Sequence, residues 1–169
     1  ADQIQRFINE NKFNVKINIS YETELLLDTG GGVLAGTSNF NDEPFYVINP
    51  DTLWNKEYVK EIKNLEEIYF KYNKPSLLLV NKKLSLDNSF VGDFNLQKDI
   101  IFKDKENQFI FTGLHITNRN YLRSEKSKVF SMNKIWNDLI KNKNLYGLES
   151  KKKFYHLNTF EMYNKISSL

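Results

Sequence analysis

Short apolar runs alternate with stretches of helical spacing along the first half of this chain. Residues 45–48 and 76–80 are apolar runs of strand length, and each is followed by polar loop residues. Between them, apolar residues recur every three or four positions from 55 to 72, which is typical of a helix with one buried face. Buried strands that alternate with helices predict an α/β layered domain with a mixed sheet and argue against an all-helical fold.

The rest of the chain predicts a ribbon and further helices. Three strand-like pieces, separated by polar turns, indicate antiparallel ribbon at residues 93–96, 99–103 and 108–116. Helices are predicted at residues 1–11 and after the capping residues Asn55, Ser131 and Thr159. Two more strands are predicted, from alternation at residues 15–19 and from the apolar run at 154–157.

Length and cysteine content limit the class of protein. A chain of 169 residues has room for one domain, so residues 1–169 are predicted to form a single unit. The chain contains no Cys, which excludes a disulfide framework, a thiol nucleophile and Cys-based metal sites. Its two His residues argue against a His-only metal cluster.

The charge balance is close to neutral. There are 24 Lys and Arg residues against 21 Asp and Glu, for a net charge of +3, and the aromatic residues fall mostly at core spacing. We therefore expect no nucleic-acid partner. No apolar run reaches the length of a membrane span and no secretory signal is visible, so a cytoplasmic protein without a membrane partner is expected.

Three consecutive Gly residues at 30–32 require an explanation, because Gly loses more backbone entropy on folding than any other residue. They follow Asp28 and Thr29 and precede an apolar stretch. One explanation is a helix start at which a flat or anionic ligand approaches backbone N–H groups. The other is a tight turn in a loop. The glycines alone do not decide between these two interpretations.

Polar residues follow both apolar strands. Asp51 comes after residues 45–48, and Asn81 follows residues 76–80. Ligands of layered α/β domains bind where strands end at their carboxyl termini, so these are candidate site positions. A carboxylate there suits a hard cation such as Mg²⁺, although Asp after Pro is also a common turn residue. His156 lies in an apolar run, where a core His is the simpler interpretation.

The order of these pieces resembles a known family. The segments that carry the resemblance are, in order, Asp28-Thr29-Gly30-Gly31-Gly32, Asn49-Pro50-Asp51, Val80-Asn81, Gly92-Asp93-Phe94, Thr112-Gly113-Leu114 and Phe154-Tyr155-His156-Leu157-Asn158-Thr159. All but the third resemble, respectively, the TGGG, NGD, GDF, SGI and WxDVGT segments of the sugar-1-phosphate nucleotidyltransferases. The similarity extends over nearly the whole chain. It is greatest to the N-acetylmuramate-1-phosphate uridylyltransferase and mannose-1-phosphate guanylyltransferase-like branch.

The resemblance implies a Rossmann-like domain that joins a nucleoside triphosphate to a sugar 1-phosphate and releases pyrophosphate, with Mg²⁺ as cofactor. The residues that it places against the nucleotide are Thr29, Gly30, Gly31 and Asn49. Those that it places against the sugar are Asn81, Asp93 and Gly113. It also implies that Asp51 is a Mg²⁺ ligand, and His156 stands where the family has a second carboxylate ligand.

The sequence departs from the family pattern at its start. The family opens with a strand, a Gly-rich GxGxRxxP loop and a PKP segment, and residues 1–169 contain neither the loop nor the PKP segment. We therefore expect a domain that lacks the family's first two strands and is completed by a separately encoded N-terminal segment. The alternative is a non-catalytic remnant that binds nucleotide or sugar phosphate weakly. An uncovered apolar sheet edge is expected to favour self-association.

Overall fold

The computed structural model describes residues 2–168, which form one mixed sheet with helices packed on both faces. Within these residues the strands are β1 (Phe45–Ile48), β2 (Ser76–Asn81), β3 (Asn95–Gln97), β4 (Ile100–Phe102), β5 (Phe109–Thr117) and β6 (Tyr146–Ser150). The α-helices are α1 (Asp2–Glu10), α2 (Asp28–Gly36), α3 (Tyr58–Tyr72), α4 (Arg119–Arg123), α5 (Met132–Lys141) and α6 (Phe160–Ser167). This architecture confirms the predicted α/β class.

The order of the strands in the sheet is β1-β5-β2-β6-β4-β3. β5 is antiparallel to both β1 and β2, whereas β2 and β6 are parallel. It follows that β1, β2 and β6 run in the same direction and that their carboxyl ends lie on one side of the sheet. Asn49 and Asn81 are thus at the ends of two near-neighbour strands separated by β5, as the sequence predicts.

The strand β2 shows how the sheet is covered on both faces. Successive side chains of a strand point to opposite faces. Leu77 and Leu79 belong to the cluster that contains Trp136 of α5, whereas Leu78 packs with Leu65 of α3. All three leucines of β2 are fully buried. A strand in this position needs a continuous apolar run, which is why its signal in the sequence is strong.

Two of the three predicted helix caps, Ser131 and Thr159, are confirmed, whereas Asn55 does not cap α3, which begins at Tyr58 with Glu57 as its N-cap. Ser131 Oγ accepts the N–H of Asn133 at 3.2 Å, and Thr159 Oγ1 accepts the N–H of Met162 at 3.1 Å. Asn55 Oδ1 accepts the N–H of Glu57 at 2.9 Å, one residue before α3 begins. The Ser131 and Thr159 oxygens pair with N–H groups that the first helical turn leaves free, whereas the Asn55 oxygen pairs with an N–H group ahead of α3. Within residues 2–168, no helix has both the length and the apolar character that a membrane span requires.

The strand predicted at residues 15–19 is wrong. Across residues 2–168, no backbone-to-backbone hydrogen bond involves residues 12–26, and most of this segment is exposed. Alternating polarity produces a strand only where a partner backbone supplies hydrogen bonds. This segment has no such partner in the part of the chain that the structure describes.

The strand predicted at residues 154–157 is also wrong, and the real strand β6 lies just before it. Phe154 and His156 form isolated bridges, to Ser85 and Thr52 respectively. β6 instead runs parallel to β2. Its second and fourth residues are Gly and Glu, so it has no apolar run by which the sequence would reveal it.

The strand β1 lies at the edge of the sheet. Its residues alternate between partly buried and exposed, and Tyr46 and Ile48 are 38% and 52% exposed. The apolar run at 45–48 predicts a fully buried strand, and the edge position of β1 explains the difference. The expected self-association through an uncovered apolar edge stays a prediction.

We predict that residues 12–20 exchange their amide hydrogens rapidly and that residues 77–80 exchange them slowly. The first segment has no backbone partner, whereas β2 is paired on both sides and buried. Hydrogen–deuterium exchange with mass spectrometry measures both segments in one sample, so the β2 peptide is the internal control. Slow exchange at 12–20 would contradict the assignment of this segment as unpaired.

Candidate functional site

A cavity of about 470 Å³ lies between the sheet and the first turns of two helices. This volume is within the range of small-molecule sites in proteins. The residues that line it from the sheet and from α2 include Thr29, Gly32, Val47, Asn49, Phe111 and His115. The start of α5 contributes Ser131, Met132, Asn133 and Trp136. The Gly-rich segment and the end of β1, which the sequence marks separately, therefore meet in one place.

The Gly-rich segment forms the first turns of α2, which confirms a helix start and excludes a loop turn. Gly30 and Gly31 do not line the cavity, and both of their N–H groups donate to the carbonyl of Phe130, at 2.9 and 3.1 Å. A Cβ on Gly30 would collide with Phe130, and one on Gly31 with the carbonyl of Lys128. These two glycines allow α2 to dock against residues 128–130, and only Gly32 of the three lines the cavity.

Thr29 connects the two helices that cover the cavity. Its Oγ1 accepts the N–H of Met132 at 2.9 Å and lies 3.5 Å from Ser131 Oγ. The hydroxyl thus serves as an additional cap at the start of α5. Thr29 is at the cavity, as expected of a ligand-contacting residue, and it also has a structural role that the sequence does not reveal.

Asn49 and Gly113 are in direct contact. The N–H of Asn49 donates to the carbonyl of Gly113 at 2.8 Å, and Nε1 of Trp54 donates to the carbonyl of Asn49 at 3.0 Å. Gly113 has φ +90, a conformation that favours Gly, and a Cβ there would lie 2.8 Å from Cβ of Asn49. The antiparallel pairing of β1 with β5 therefore brings one residue expected at the nucleotide beside one expected at the sugar.

Asp51 and His156 lie close together beyond the end of β1. Oδ2 of Asp51 is 3.8 Å from Nε2 of His156, and a bridge between Thr52 and His156 holds the two segments side by side. Within the described residues, Oδ1 of Asp51 and Nδ1 of His156 are buried without a hydrogen-bond partner. The two positions that the resemblance associates with a metal ion therefore lie side by side.

The ligand atoms that Asp51 and His156 offer determine how well this pair of residues fits Mg²⁺. Among residues 2–168 no group of three or more His, Cys, Asp or Glu side chains could enclose a metal ion. Mg²⁺ is usually held by one or two carboxylates together with substrate phosphates, so Asp51 alone fits an ion that arrives with a nucleotide. The imidazole of His156 does not fit, because Mg²⁺ prefers oxygen ligands.

Asn81 and Asp93 do not line the cavity. Oδ1 of Asn81 accepts the N–H of Lys83 at 3.1 Å and caps a short 3₁₀ turn. Oδ2 of Asp93 accepts the N–H of Phe111 at 2.9 Å, and burial of the carboxyl group raises the pKa of Asp93. Phe111 is a cavity residue, so Asp93 is connected to the cavity through its neighbour and not by its own side chain.

The sequence analysis missed His115, which is the most deeply buried ionisable side chain at the cavity. It lies two residues after Gly113 on the same face of β5, and it is 2% exposed. Burial lowers the pKa of His115 to about 3, so the imidazole is neutral at physiological pH. The available signal was the period of two along β5, which places residues 111, 113 and 115 on one face.

Two of the three Arg side chains are engaged away from the cavity. Arg119 donates to the carbonyls of Thr37 and Ser38, each at 2.6 Å, and Arg123 donates to Asp42 at 2.7 Å. Among residues 2–168, no Lys or Arg lines the cavity, whereas Glu22 and Asp28 do. The cavity as described therefore has no cation that would bind a phosphate group.

Comparison with known proteins reveals similarity in structure but not in sequence. No protein-family model and no curated protein matches this chain. HddC from Yersinia pseudotuberculosis, solved with GMP-PN, superimposes with a TM-score of 0.73 at 20% identity over 97% of this chain and 71% of its own. UDP-glucose pyrophosphorylase from Acinetobacter baumanii superimposes with a TM-score of 0.66 at 11% identity over 84% of this chain and 55% of its own. The inositol-1-phosphate CTP transferase from T. maritima superimposes with a TM-score of 0.59 at 9% identity over 80% of this chain and 58% of its own.

At these identities the comparison establishes a shared fold. This chain spans between 55% and 71% of the length of the three solved proteins. The Rossmann-like fold that the resemblance implies is therefore the fold of this chain.

We predict that Gly113→Ala lowers the free energy of unfolding by about 1–3 kcal/mol, because Ala is strained at this φ and its Cβ would press on Asn49. Gly36→Ala is the control, since its Cβ would meet Ser20 at an ordinary 3.7 Å. Urea unfolding of the two variants measures the difference. Equal stability of Gly113→Ala and wild type would contradict the close packing of β5 against Asn49.

We also predict that acid destabilises the protein partly through His115. An unfolded His titrates near 6.5, above the folded pKa of about 3, so the unfolded state binds the proton first as the pH falls. The free energy of unfolding then decreases by up to about 1.4 kcal/mol per pH unit between these values. His115→Phe removes this contribution. The free energy of unfolding of the variant should therefore rise relative to that of wild type as the pH is lowered from 7 to 4. A difference that is constant with pH would rule this out.

Proposed function

We propose that this chain is a nucleotidyltransferase domain that binds a nucleoside triphosphate and a sugar 1-phosphate. One observation carries the proposal: Thr29, Gly32 and Asn49, from the segments that resemble TGGG and NGD, line a single cavity. The fold shared with UDP-glucose pyrophosphorylase supports the proposed reaction class. The complexes of HddC with GMP-PN and of UDP-glucose pyrophosphorylase with UDP-glucose support a nucleotide as ligand.

In the proposed reaction, a phosphate oxygen of the sugar 1-phosphate attacks the α-phosphorus of the nucleoside triphosphate in line. A P–O bond forms at that phosphorus while its bond to the oxygen bridging to the β-phosphate breaks. The products are a nucleotide sugar and pyrophosphate. Both reactants are anionic, so the rate depends on positive charge positioned before the reaction begins.

Asp51 is the residue that we propose as the Mg²⁺ ligand. Its side chain is 45% exposed and follows β1 by three residues, so Asp51 could hold a metal ion that also binds phosphate oxygens. Bound Mg²⁺ would supply positive charge to the phosphate groups and help to orient them. The proposed roles of Thr29 and Asn49 are to bound and orient the nucleotide from two sides of the cavity.

A second candidate function is binding without efficient catalysis. It is favoured by the cavity charges, since Glu22 and Asp28 line the cavity and no Lys or Arg among residues 2–168 does so. His156 in place of a second carboxylate also weakens the case for a complete magnesium site. Both candidate functions predict that the protein binds nucleotide, and only the first predicts efficient turnover.

We expect residues 1–169 alone to turn over far below the roughly 1 s⁻¹ of a typical enzyme. Loss of one preorganised charge-stabilising group typically costs roughly a hundredfold to a thousandfold in rate, and no Lys or Arg of the described residues lines the cavity. The assay follows pyrophosphate release from UTP or GTP and a sugar 1-phosphate, with Mg²⁺ or Mn²⁺. Turnover near 1 s⁻¹ would overturn this expectation and eliminate the binding-only candidate.

Magnesium-dependent nucleotide binding tests the role of Asp51 independently of turnover. We expect Asp51→Asn to weaken binding of UTP or GTP in the presence of Mg²⁺ by about tenfold, equivalent to about 1.4 kcal/mol. Without Mg²⁺ the variant and wild type should bind alike. Asp42→Asn is the matched control, because the two side chains are similarly exposed, at 57% and 45%. Calorimetric titration measures the nucleotide affinity of each protein with and without Mg²⁺. If Mg²⁺ changes the affinity of Asp51→Asn as much as that of wild type, Asp51 is not the Mg²⁺ ligand.

A further inference from the structure

A second cavity lies at the other end of α5 from the candidate site. It has a volume of about 440 Å³ and is lined by the β3–β4 hairpin and by the last turn of α5 with the residues that follow it. The candidate site contains the first turn of α5, and the 10 residues of this helix separate its two ends by about 15 Å. The proposed reaction assigns no role to this second cavity.

The second cavity is positively charged. It is lined by Lys98, Lys141 and Lys143, and no Asp or Glu among residues 2–168 lines it. Lys98 and Lys143 form no salt bridge with any other residue that the structure describes. Lys141 pairs with Asp138 at 2.8 Å, but both side chains are exposed, so this pair contributes little. The three lysines are therefore free to bind an acidic group from outside.

Local folding does not explain the lysines at these positions. The N–H groups of Lys143 and Asn144 donate to the carbonyls of Ile140 and Leu139, at 3.0 and 2.9 Å, so the end of α5 is closed by its own backbone. Lys98 and Lys143 have φ of 56 and 54, a conformation that favours Gly. Gly at either position would thus fit the backbone better than Lys does, and the positive charge needs another reason.

The rest of the second cavity is mainly apolar. Ile140 and Phe102 both line it and keep part of their surface exposed, 36% for Phe102. Lys103, which follows Phe102, adds a further positive charge next to the cavity. Its Nζ donates to Oδ1 of Asn137 on α5 at 3.0 Å and lies 4.9 Å from the ring centroid of Phe94, and neither group is a carboxylate. Apolar surface and positive charge therefore occur together at one place.

An acidic peptide with an apolar side chain fits both properties. Its carboxylates would pair with the lysines, and its apolar side chain would cover the apolar surface that the second cavity leaves exposed. A phosphate ion would use only the lysines. A nucleotide base would place its polar edge on apolar side chains and leave its polar groups unpaired.

We propose that the second cavity is the docking site for an acidic segment of a partner protein. Lys98, Lys141 and Lys143 pair with the carboxylates of this segment, and Ile140 and Phe102 contact its apolar side chain. Charge complementarity identifies the chemistry of the partner, because the second cavity presents positive charge and no carboxylate of residues 2–168. The inference goes beyond the proposed function and does not depend on it.

Peptide binding tests the proposal. The probe is a dye-labelled peptide in which two Glu residues alternate with one Leu, and its fluorescence anisotropy is followed as residues 1–169 are added up to millimolar concentration. One control peptide has Ser in place of Leu, and another has Lys in place of Glu. Sodium phosphate and phosphatidylglycerol vesicles are tested as alternative ligands, because both carry negative charge that lysines can bind.

The test variant combines Lys98→Gly with Lys143→Gly, which removes two charges at positions where the backbone favours Gly. We expect it to unfold at the same or a higher temperature than wild type and to bind the peptide about tenfold more weakly. The matched control combines Lys60→Ala on α3, which packs on the opposite face of the sheet from α5, with Lys83→Ala, which lies beyond the carboxyl end of β2. The control should bind the peptide as wild type does.

Hydrogen–deuterium exchange shows where the peptide binds. We expect the peptide to slow amide exchange at residues 97–103 and 137–143. Residues 28–32 and 47–49, which belong to the candidate site, should exchange at the same rate with and without the peptide. Added salt should weaken binding to wild type and reduce the difference between wild type and the test variant, because salt screens the charges.

Several outcomes would overturn the proposal. If the test variant and the control bind the peptide equally, the lysines of the second cavity do not hold it. If the Ser peptide binds as tightly as the Leu peptide, the apolar surface has no role and only general charge attraction remains. Binding of phosphate or of the vesicles without binding of the peptide would identify an anion or lipid site in place of a protein-docking site. Failure of wild type to bind the peptide at millimolar concentration would also rule the proposal out.

Discussion

The docking of α2 against residues 128–132 is the interaction on which the site depends. The carbonyl of Phe130 accepts two N–H groups from the first turn of α2, and the Thr29 hydroxyl caps Met132 at the start of α5. These bonds join two helix starts that are 103 residues apart in sequence. They hold both helices over β1 and β5 at a separation that leaves a cavity. The cavity therefore forms only if α2 can pack closely against residues 128–132. Gly30 and Gly31 allow this close packing because they have no side chain.

Much of the fold could be predicted from the sequence because the buried elements have a period. β2 is apolar at every position from Leu77 to Val80, and α3 and α5 carry apolar residues on one helical face. β6 could not be predicted, because β2 supplies its pairing and its own Gly147 and Glu149 break the pattern. The segment at 15–19 is the reverse case. Its polar and apolar residues alternate as in a strand, but within residues 2–168 no backbone pairs with it, so no strand forms.

The candidate site was less predictable, because it depends on strand register. Asn49 meets Gly113 only through the antiparallel pairing that sets Ile48 opposite Leu114. The same register places His115 opposite Val47 at the cavity. Sequence spacing located the strand ends correctly, but it could not show that Asn81 caps a turn. It also could not show which polar atoms remain unpaired after folding, since that is a property of all neighbours together.

The glycines at 30 and 31 have a consequence for how sequences of this fold are interpreted. Their small size is required by Phe130 and Lys128, and their N–H groups are used inside the protein. Selection for folding alone is therefore enough to keep both glycines, whatever happens to catalysis. A Gly-rich segment at this point of the chain can outlast the enzymatic activity of a lineage. The packing role of Gly30 and Gly31 therefore means that these glycines are not by themselves evidence of catalysis.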